Sequence, residues 1–260
     1  MTGTEIITLN GYDIKKIEPF FSWKDFFYRW DLDKFKNETP DAELEKSRNI
    51  LKSDAASLLC EIVKNGEIEL RGVLRFFPAL SHNEDVILYE GASLKEAARF
   101  SFPRLLRKRR EGLANPCLAD FILPAECASG RLDALGLFAL SVYYGSDFKK
   151  GGGYRDILKA SVADGLAEAW SLETHGRARE FLKQAPYRTI WTDSSVTGGG
   201  IRPAFGYPCC PNHEDKRLAF KLLEAEERCG LTLTESAMIN PPSSICGMYF
   251  FNPKAFYFTI

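Results

Sequence analysis

Residues Ile201–Pro211 read IRPAFGYPCCP. Pro203, Pro208 and Pro211 each fix φ near −65°, so the backbone between them is set before anything binds. Gly206 permits either a positive φ or the close approach of a ligand to the main chain. Such a strip offers N–H and C=O groups to a planar heterocycle with little further loss of entropy. Arg202 is able to meet a carboxylate with a two-pronged hydrogen bond, and Tyr207 supplies an aromatic wall. A ligand carrying an amino-acid carboxylate and a purine fits this inventory. A rigid crossover loop with no ligand fits the same residues. A third reading uses the thiols: Cys209 and Cys210 lie just ahead of a helix that starts near His213, and a helix N-terminus favours thiolate.

Working outward, the stretch from Asn212 onward reads as a helix capped at Asn212 or a near neighbour. Leu218, Leu222, Leu223 and Ala225 line its apolar side as far as Cys229-Gly230. The tail LTLTESAMINPPSSICGMYFFNPKAFYFTI reads as three short strands separated by PPSS and NP turns. Upstream lies the loop TDSSVTGGG. Before it, Ile157, Leu158, Val162, Leu166, Ala169, Trp170, Phe181 and Leu182 give a helical pattern from Tyr154 to Lys183. SDFKKGGGYRD is a flexible turn within one domain. RLDALGLFALSVYYG is long and apolar without clean alternation, as a strand buried on both faces would be. GEIELRGVLRFFPAL, stopping at Pro78, and DVILYEG read as a hairpin around SHNED. Thr39 to Asn65 reads as a helix stopped by Gly66. The aromatic segment IEPFFSWKDFFYRWDL anchors the N-terminal end in the core. Mixed elements without strict alternation, several joined by short turns, favour an α+β fold with a largely antiparallel sheet.

Composition excludes several classes. The 260 residues carry a formal net charge of −1, which gives no general attraction to nucleic acid or to an anionic membrane surface. No apolar run reaches the about 20 residues of a membrane span. The N-terminus lacks the pattern of a secretory signal. Seven scattered cysteines form no CxxC pair and read as reduced, mostly buried thiols of a cytoplasmic protein. His82, His175 and His213 are far apart, so a catalytic metal finds no support. Neither glycine run matches a P-loop or a dinucleotide fingerprint. Arg104, Arg107, Lys108, Arg109 and Arg110 read either as a solvated helix face or as a docking patch for phosphate or an acidic partner.

The order of motifs carries more than any one of them. RPAFGYPCCP, LLEAEERCG, LTLTES and GMYFFNPKAFYFTI follow RGVLRFFPA, CLADFILP, LGLFALSV and DGLAEAW. This series, collinear from about Trp23 to Ile260, resembles the activation domain of cobalamin-dependent methionine synthase. The resemblance implies a single C-shaped α+β domain with a bent, largely antiparallel sheet flanked by helices, spanning residues 1–260 with a short N-terminal extension of about 1–16. It implies a module that binds S-adenosylmethionine (AdoMet) and presents it for reductive methylation of cob(II)alamin. The cobalamin is carried by the partner, expected to be a separately encoded methionine synthase lacking this domain. A flavodoxin-type reductant supplies the electron. The chain is then an accessory component, not an independent catalyst, and no catalytic residue is expected.

Carried over position by position, the resemblance implies that Arg202, Ala204, Gly206 and Tyr207 hold AdoMet, together with Glu168 of DGLAEAW and Tyr257 of the closing stretch. Arg202 suits the methionyl carboxylate, and Glu168 suits the ligand's positive charge. Two positions depart from the family pattern. Ser22 stands before Trp23 where the family has an aspartate; it accepts a hydrogen bond but neutralises no ammonium. Val196 stands where the family has an acidic residue, with Asp193 nearby. Each lost charge-assisted bond costs about 1.5–3 kcal/mol, or roughly ten- to a hundredfold in affinity. The alternative is therefore a non-catalytic binding protein of the same fold that has lost AdoMet but still contacts a corrinoid methyltransferase.

Overall fold

The structure is a computed structural model and describes residues 5–32, 40–91, 94–106, 115–144, 153–192, 194–195 and 198–260. Its sheet is built from β2 (Ile68–His82), β3 (Asp85–Tyr89), β4 (Glu96–Ser101), β5 (Asp133–Tyr144) and β8 (Ser244–Phe250) in the order β4-β3-β2-β5-β8. β1 (Ile6–Thr8) pairs with β2 beside β3, so the segment expected as an N-terminal extension contributes a strand. Every pairing in the sheet is antiparallel. β6 (Thr232–Leu233) and β7 (Ile239–Asn240) form a separate small ladder.

Period-two alternation divides the sheet into two buried faces. On one face Leu74, Phe76, Phe138, Leu140, Val142 and Tyr249 pack with α3 (Asp41–Asn65) and α4 (Tyr154–Lys183). On the other, Val73, Phe77, Leu135, Leu137, Met248 and Phe250 pack with α5 (Asp215–Leu223) and α6 (Ala225–Cys229). β5 is buried along nearly its whole length, as its unbroken apolar run requires. Each large apolar side chain enclosed this way stabilises the fold by about 1.5–3 kcal/mol. The short α1 (Ile14–Ile17) and α2 (Trp23–Arg29) bring Phe21 and Phe26 against α4, the anchoring expected of the aromatic segment. Among the described residues no helix is long and apolar enough to cross a membrane.

Three expectations are corrected. β2 runs through Pro78 to His82, with Pro78 opposite Ala134. The carbonyls of Leu70 and Gly72 accept from Gly11 and Leu9, so even-numbered residues of β2 address that edge. Pro78 falls between the stretch paired with β1 (Val73–Arg75) and the stretch paired with β3 (Ala79–His82). Its missing N–H therefore costs no ladder bond.

The helix expected from Asn212 to Cys229 is two helices, broken at Glu224 with φ 52°. Leu223 and Ala225 are both wholly buried. Two residues apart on one helix they would point some 200° away from each other, and the left-handed turn lets both face the sheet. Asn212 accepts from the Glu214 N–H at 3.1 Å, just ahead of α5.

The third strand of the tail is absent: after β8 the chain turns at Asn252-Pro253 and runs to Ile260 without a ladder. The edge it would need is taken. Residues 201–205 lie along the free side of β8, with Phe250 N–H donating to the Ile201 carbonyl at 2.9 Å and Met248 N–H to the Pro203 carbonyl at 2.9 Å. The last residues fold over this strip instead, and Ile260 N–H donates to the Pro208 carbonyl.

Candidate functional site

The site begins at Gly200, with φ +92°, where a Cβ would stand 2.0 Å from the Phe250 carbonyl oxygen. This close approach lets the chain turn onto β8 and run as an irregular outer edge strand. Beyond Ala204 it curls into a tight turn, closed by hydrogen bonds from Gly206 N–H to the Cys210 carbonyl at 2.7 Å and from Cys210 N–H to the Tyr207 carbonyl at 2.8 Å. Gly206 has φ +91°, and a Cβ there would meet the His213 imidazole at 2.2 Å. The positive φ is one of the two reasons for a glycine that the sequence raised; the close approach at this position is made by the chain's own His213 ring.

Seated on that edge, Arg202 reaches across to α4. Its main-chain N–H donates to the Tyr257 hydroxyl at 2.9 Å, and its Nε–H donates to Ser171 Oγ at 2.9 Å. A terminal nitrogen of the guanidinium stands 3.8 Å from a Glu168 carboxylate oxygen. Glu168 and Ser171 are three residues apart on α4 and share a face. His175, four further on, stacks on Tyr249 with ring centroids 5.4 Å apart. Burial, with the charges of Arg202 and Arg179 nearby, pushes its imidazole down to about 4.

These elements enclose a shallow groove of about 320 Å³ lined by Glu168, Arg202, Pro203, Ala204, Tyr207, Ile245 and Tyr257, with the last residues of the chain. Five of the seven sequence-derived site residues line it: Arg202, Ala204, Tyr207, Glu168 and Tyr257. Gly206 lines an adjoining cleft of about 490 Å³, together with Arg29, Asp164, His213 and Lys216. The two hollows share Glu168, Ala204, Tyr207 and Ile245. Ser22 lines neither; it caps α2, its Oγ accepting from the Asp25 N–H at 3.3 Å. Arg29, from the other end of that helix, is what reaches the second cleft. Val196 and Asp193 lie outside the described residues. Sequence reasoning missed Ser171, His175 and Lys216. The 168–171–175 spacing was the available signal for the first two.

The thiol reading fails on geometry. Cys209 and Cys210 are 2% and 1% exposed, and burial pushes both thiols up, away from thiolate. His213 is engaged elsewhere: Lys216 Nζ, itself buried, donates to its Nδ1 at 2.8 Å and to the Ala237 carbonyl at 3.0 Å. Burial holds that amine below the ordinary lysine value. Of the basic stretch, Arg104 is engaged by Glu84, Asp120 and the Asn115 carbonyl. Residues 107–110 lie outside the described residues. Among the described residues no group of three His, Cys, Asp or Glu side chains is placed to hold a metal ion.

An antiparallel sheet between two helical layers, with an arginine-bearing main-chain strip as its outer edge, defines an α+β domain with a shallow surface site. The chain belongs to the family described as vitamin B12 dependent methionine synthase, activation domain, whose model matches residues 13–260. A crystal structure of the MetH reactivation domain bound to AdoHcy has the same fold, with a TM-score of 0.80 and 27% sequence identity over 99% of this chain and 82% of that one.

Proposed function

We propose that the chain, as one domain over residues 1–260, binds AdoMet in the groove and presents its methyl group to the cobalamin of methionine synthase. The supporting observation is the convergence of Arg202, Glu168, Ala204, Tyr207 and Tyr257 on one hollow. The similar structure named above holds AdoHcy, the compound AdoMet becomes on losing its methyl.

The donor set fits this ligand. Arg202 carries a fork of donors suited to a carboxylate. The Glu168 side chain, 39% exposed, places negative charge beside the ammonium and sulfonium. Of the main-chain N–H groups between Arg202 and Tyr207, only that of Ala204 is not already bonded within the described residues, and the half-exposed Tyr207 supplies a flat apolar wall. Gly206, at φ +91°, keeps the turn that carries Tyr207 tight against the His213 ring. When bound, AdoMet supplies a sulfonium-activated methyl group for the one-electron-reduced cobalt of the partner's cobalamin. The chain's own residues bind and orient; the gain comes from placing two reactants in line. Ser22, spent on capping α2, has no part in this reading.

In this reading the electron comes from a flavodoxin-type protein, and the partner is a cobalamin-dependent methionine synthase without an activation domain of its own. The test has two stages. Calorimetric titration of AdoHcy into the chain should give saturable binding, weakened about ten- to a hundredfold by Arg202→Ala, as expected for loss of a charge-assisted contact. Added in trans to such a synthase inactivated as cob(II)alamin, with reductant and AdoMet, the chain should restore methylcobalamin, followed by its absorbance. No binding at millimolar ligand removes the AdoMet reading and leaves the non-catalytic binding protein in its place.

A further inference from the structure

We propose that Ser171 is a positioning residue: it clamps Arg202 so that the groove favours ligands bearing an α-carboxylate. The inference rests on the AdoMet reading above and deepens it.

Ser171 is wholly buried on α4, yet its side chain does not serve the apolar core. A hydroxyl has one proton and two lone pairs. The proton goes back along the helix to the Glu168 carbonyl at 3.1 Å, which fixes the rotamer. The oxygen then faces the strip and accepts from Arg202 Nε–H at 2.9 Å. At the other end of the arginine, the main-chain N–H is tied to Tyr257, and the flanking Ile201 and Pro203 are bonded to β8. A side chain with four rotatable bonds is thus held at both ends.

What the clamp leaves open decides the selectivity. Nε is spent on Ser171, so four N–H donors remain on the two terminal nitrogens. Among the described residues no acceptor lies within hydrogen-bond distance of them; Glu168, at 3.8 Å, tunes the charge without saturating the fork. This is a guanidinium held in place with its outer edge unsatisfied, the form a bidentate carboxylate completes. Without Ser171 the side chain must be immobilised at the moment of binding, a cost corresponding to about two- to tenfold in affinity.

The experiment compares two ligands. AdoHcy carries the amino-acid carboxylate; 5′-methylthioadenosine keeps the nucleoside and thioether but lacks it. Ser171→Ala should weaken AdoHcy by about two- to tenfold in calorimetric titration and leave 5′-methylthioadenosine within twofold. In an Arg202→Ala background the same change should have no further effect on AdoHcy, because the two residues act as one unit. Independently of any ligand, the Arg202 Nε–H should be a slowly exchanging resonance in nitrogen-15 spectra, lost in Ser171→Ala. That measurement on the unaltered protein stands even where the variant folds poorly. Equal losses for both ligands, an undiminished loss in the Arg202→Ala background, or a rapidly exchanging Nε–H would each overturn the clamp. If the unaltered chain binds 5′-methylthioadenosine but not AdoHcy, the clamp falls while a nucleoside site survives. If it binds neither, the AdoMet reading falls and takes the clamp with it.

Discussion

His175 sits on α4 one turn beyond Ser171, its ring parallel to that of Tyr249 and within reach of the charges on Arg202 and Arg179. Burial and those two cations push its imidazole down to about 4 from an ordinary value near 6.5. Between these values the unfolded chain takes up a proton that the folded chain refuses. Stability from this residue is therefore complete above pH 6.5 and is lost as pH falls towards 4, by at most about 3 kcal/mol. His175→Phe keeps a ring on Tyr249 and removes the titration. Thermal melts at pH 7.5 and pH 4.5 should show the variant gaining on the unaltered protein by roughly 2–3 kcal/mol at the lower pH. A difference that stays constant across this range would mean that His175 titrates normally.

At the scale of elements, the strip from Ile201 to Phe205 depends on how closely it enters along β8. Gly200→Ala would force a Cβ to within 2.0 Å of the Phe250 carbonyl oxygen, and backbone meets backbone there with neither side free to yield. Added to the strain of a positive φ, the expected loss is about 2–4 kcal/mol, with ligand affinity falling as Arg202 is displaced. Gly198 has φ +82° but open space around its Cβ. Gly198→Ala should therefore cost only about 1 kcal/mol of strain. Chemical denaturation of both variants checks the contrast, and equal costs would show that φ, not the contact, sets the price. The same strip marks where sequence reading stopped. α4 keeps the bounds its periodicity gave, and α3 ends at the glycine that signals its stop, because both are local properties. The break at Glu224, the passage of β2 through Pro78 and the missing last strand all depend on what lies across the sheet, which no local pattern records. Arg202, Glu168, Ala204, Tyr207 and Tyr257 were legible through ordered motifs. Ser171 was on the right helical face but unreadable as a partner of Arg202, because the rotation of α4 is fixed by packing against distant strands. Ser22, standing where the family has an aspartate, is taken up by capping its own helix.

For the whole molecule, the two buried faces of the sheet carry different natural probes. Trp170 lies in the core formed with α3 and α4, and Trp23, Trp30 and Trp191 pack against that same core. Cys117, Cys209, Cys210, Cys229 and Cys246 all lie in the opposite core, while Cys60 and Cys127 are exposed. Tryptophan fluorescence therefore reports on one face and protection of thiols on the other. Residues of β2, β5 and β8 alternate between the faces, so neither core can lose its strands without stripping the other. The expected behaviour is one cooperative transition. In rising urea, the fluorescence change and the labelling of the five buried thiols should share a midpoint, with Cys60 and Cys127 reacting before the transition begins. Thiol exposure at lower urea than the fluorescence change would mean that the α5–α6 face opens alone. Such opening would uncouple Cys209 and Cys210 from the strip that holds Arg202, and the groove would then be shaped by the ligand instead of standing ready for it.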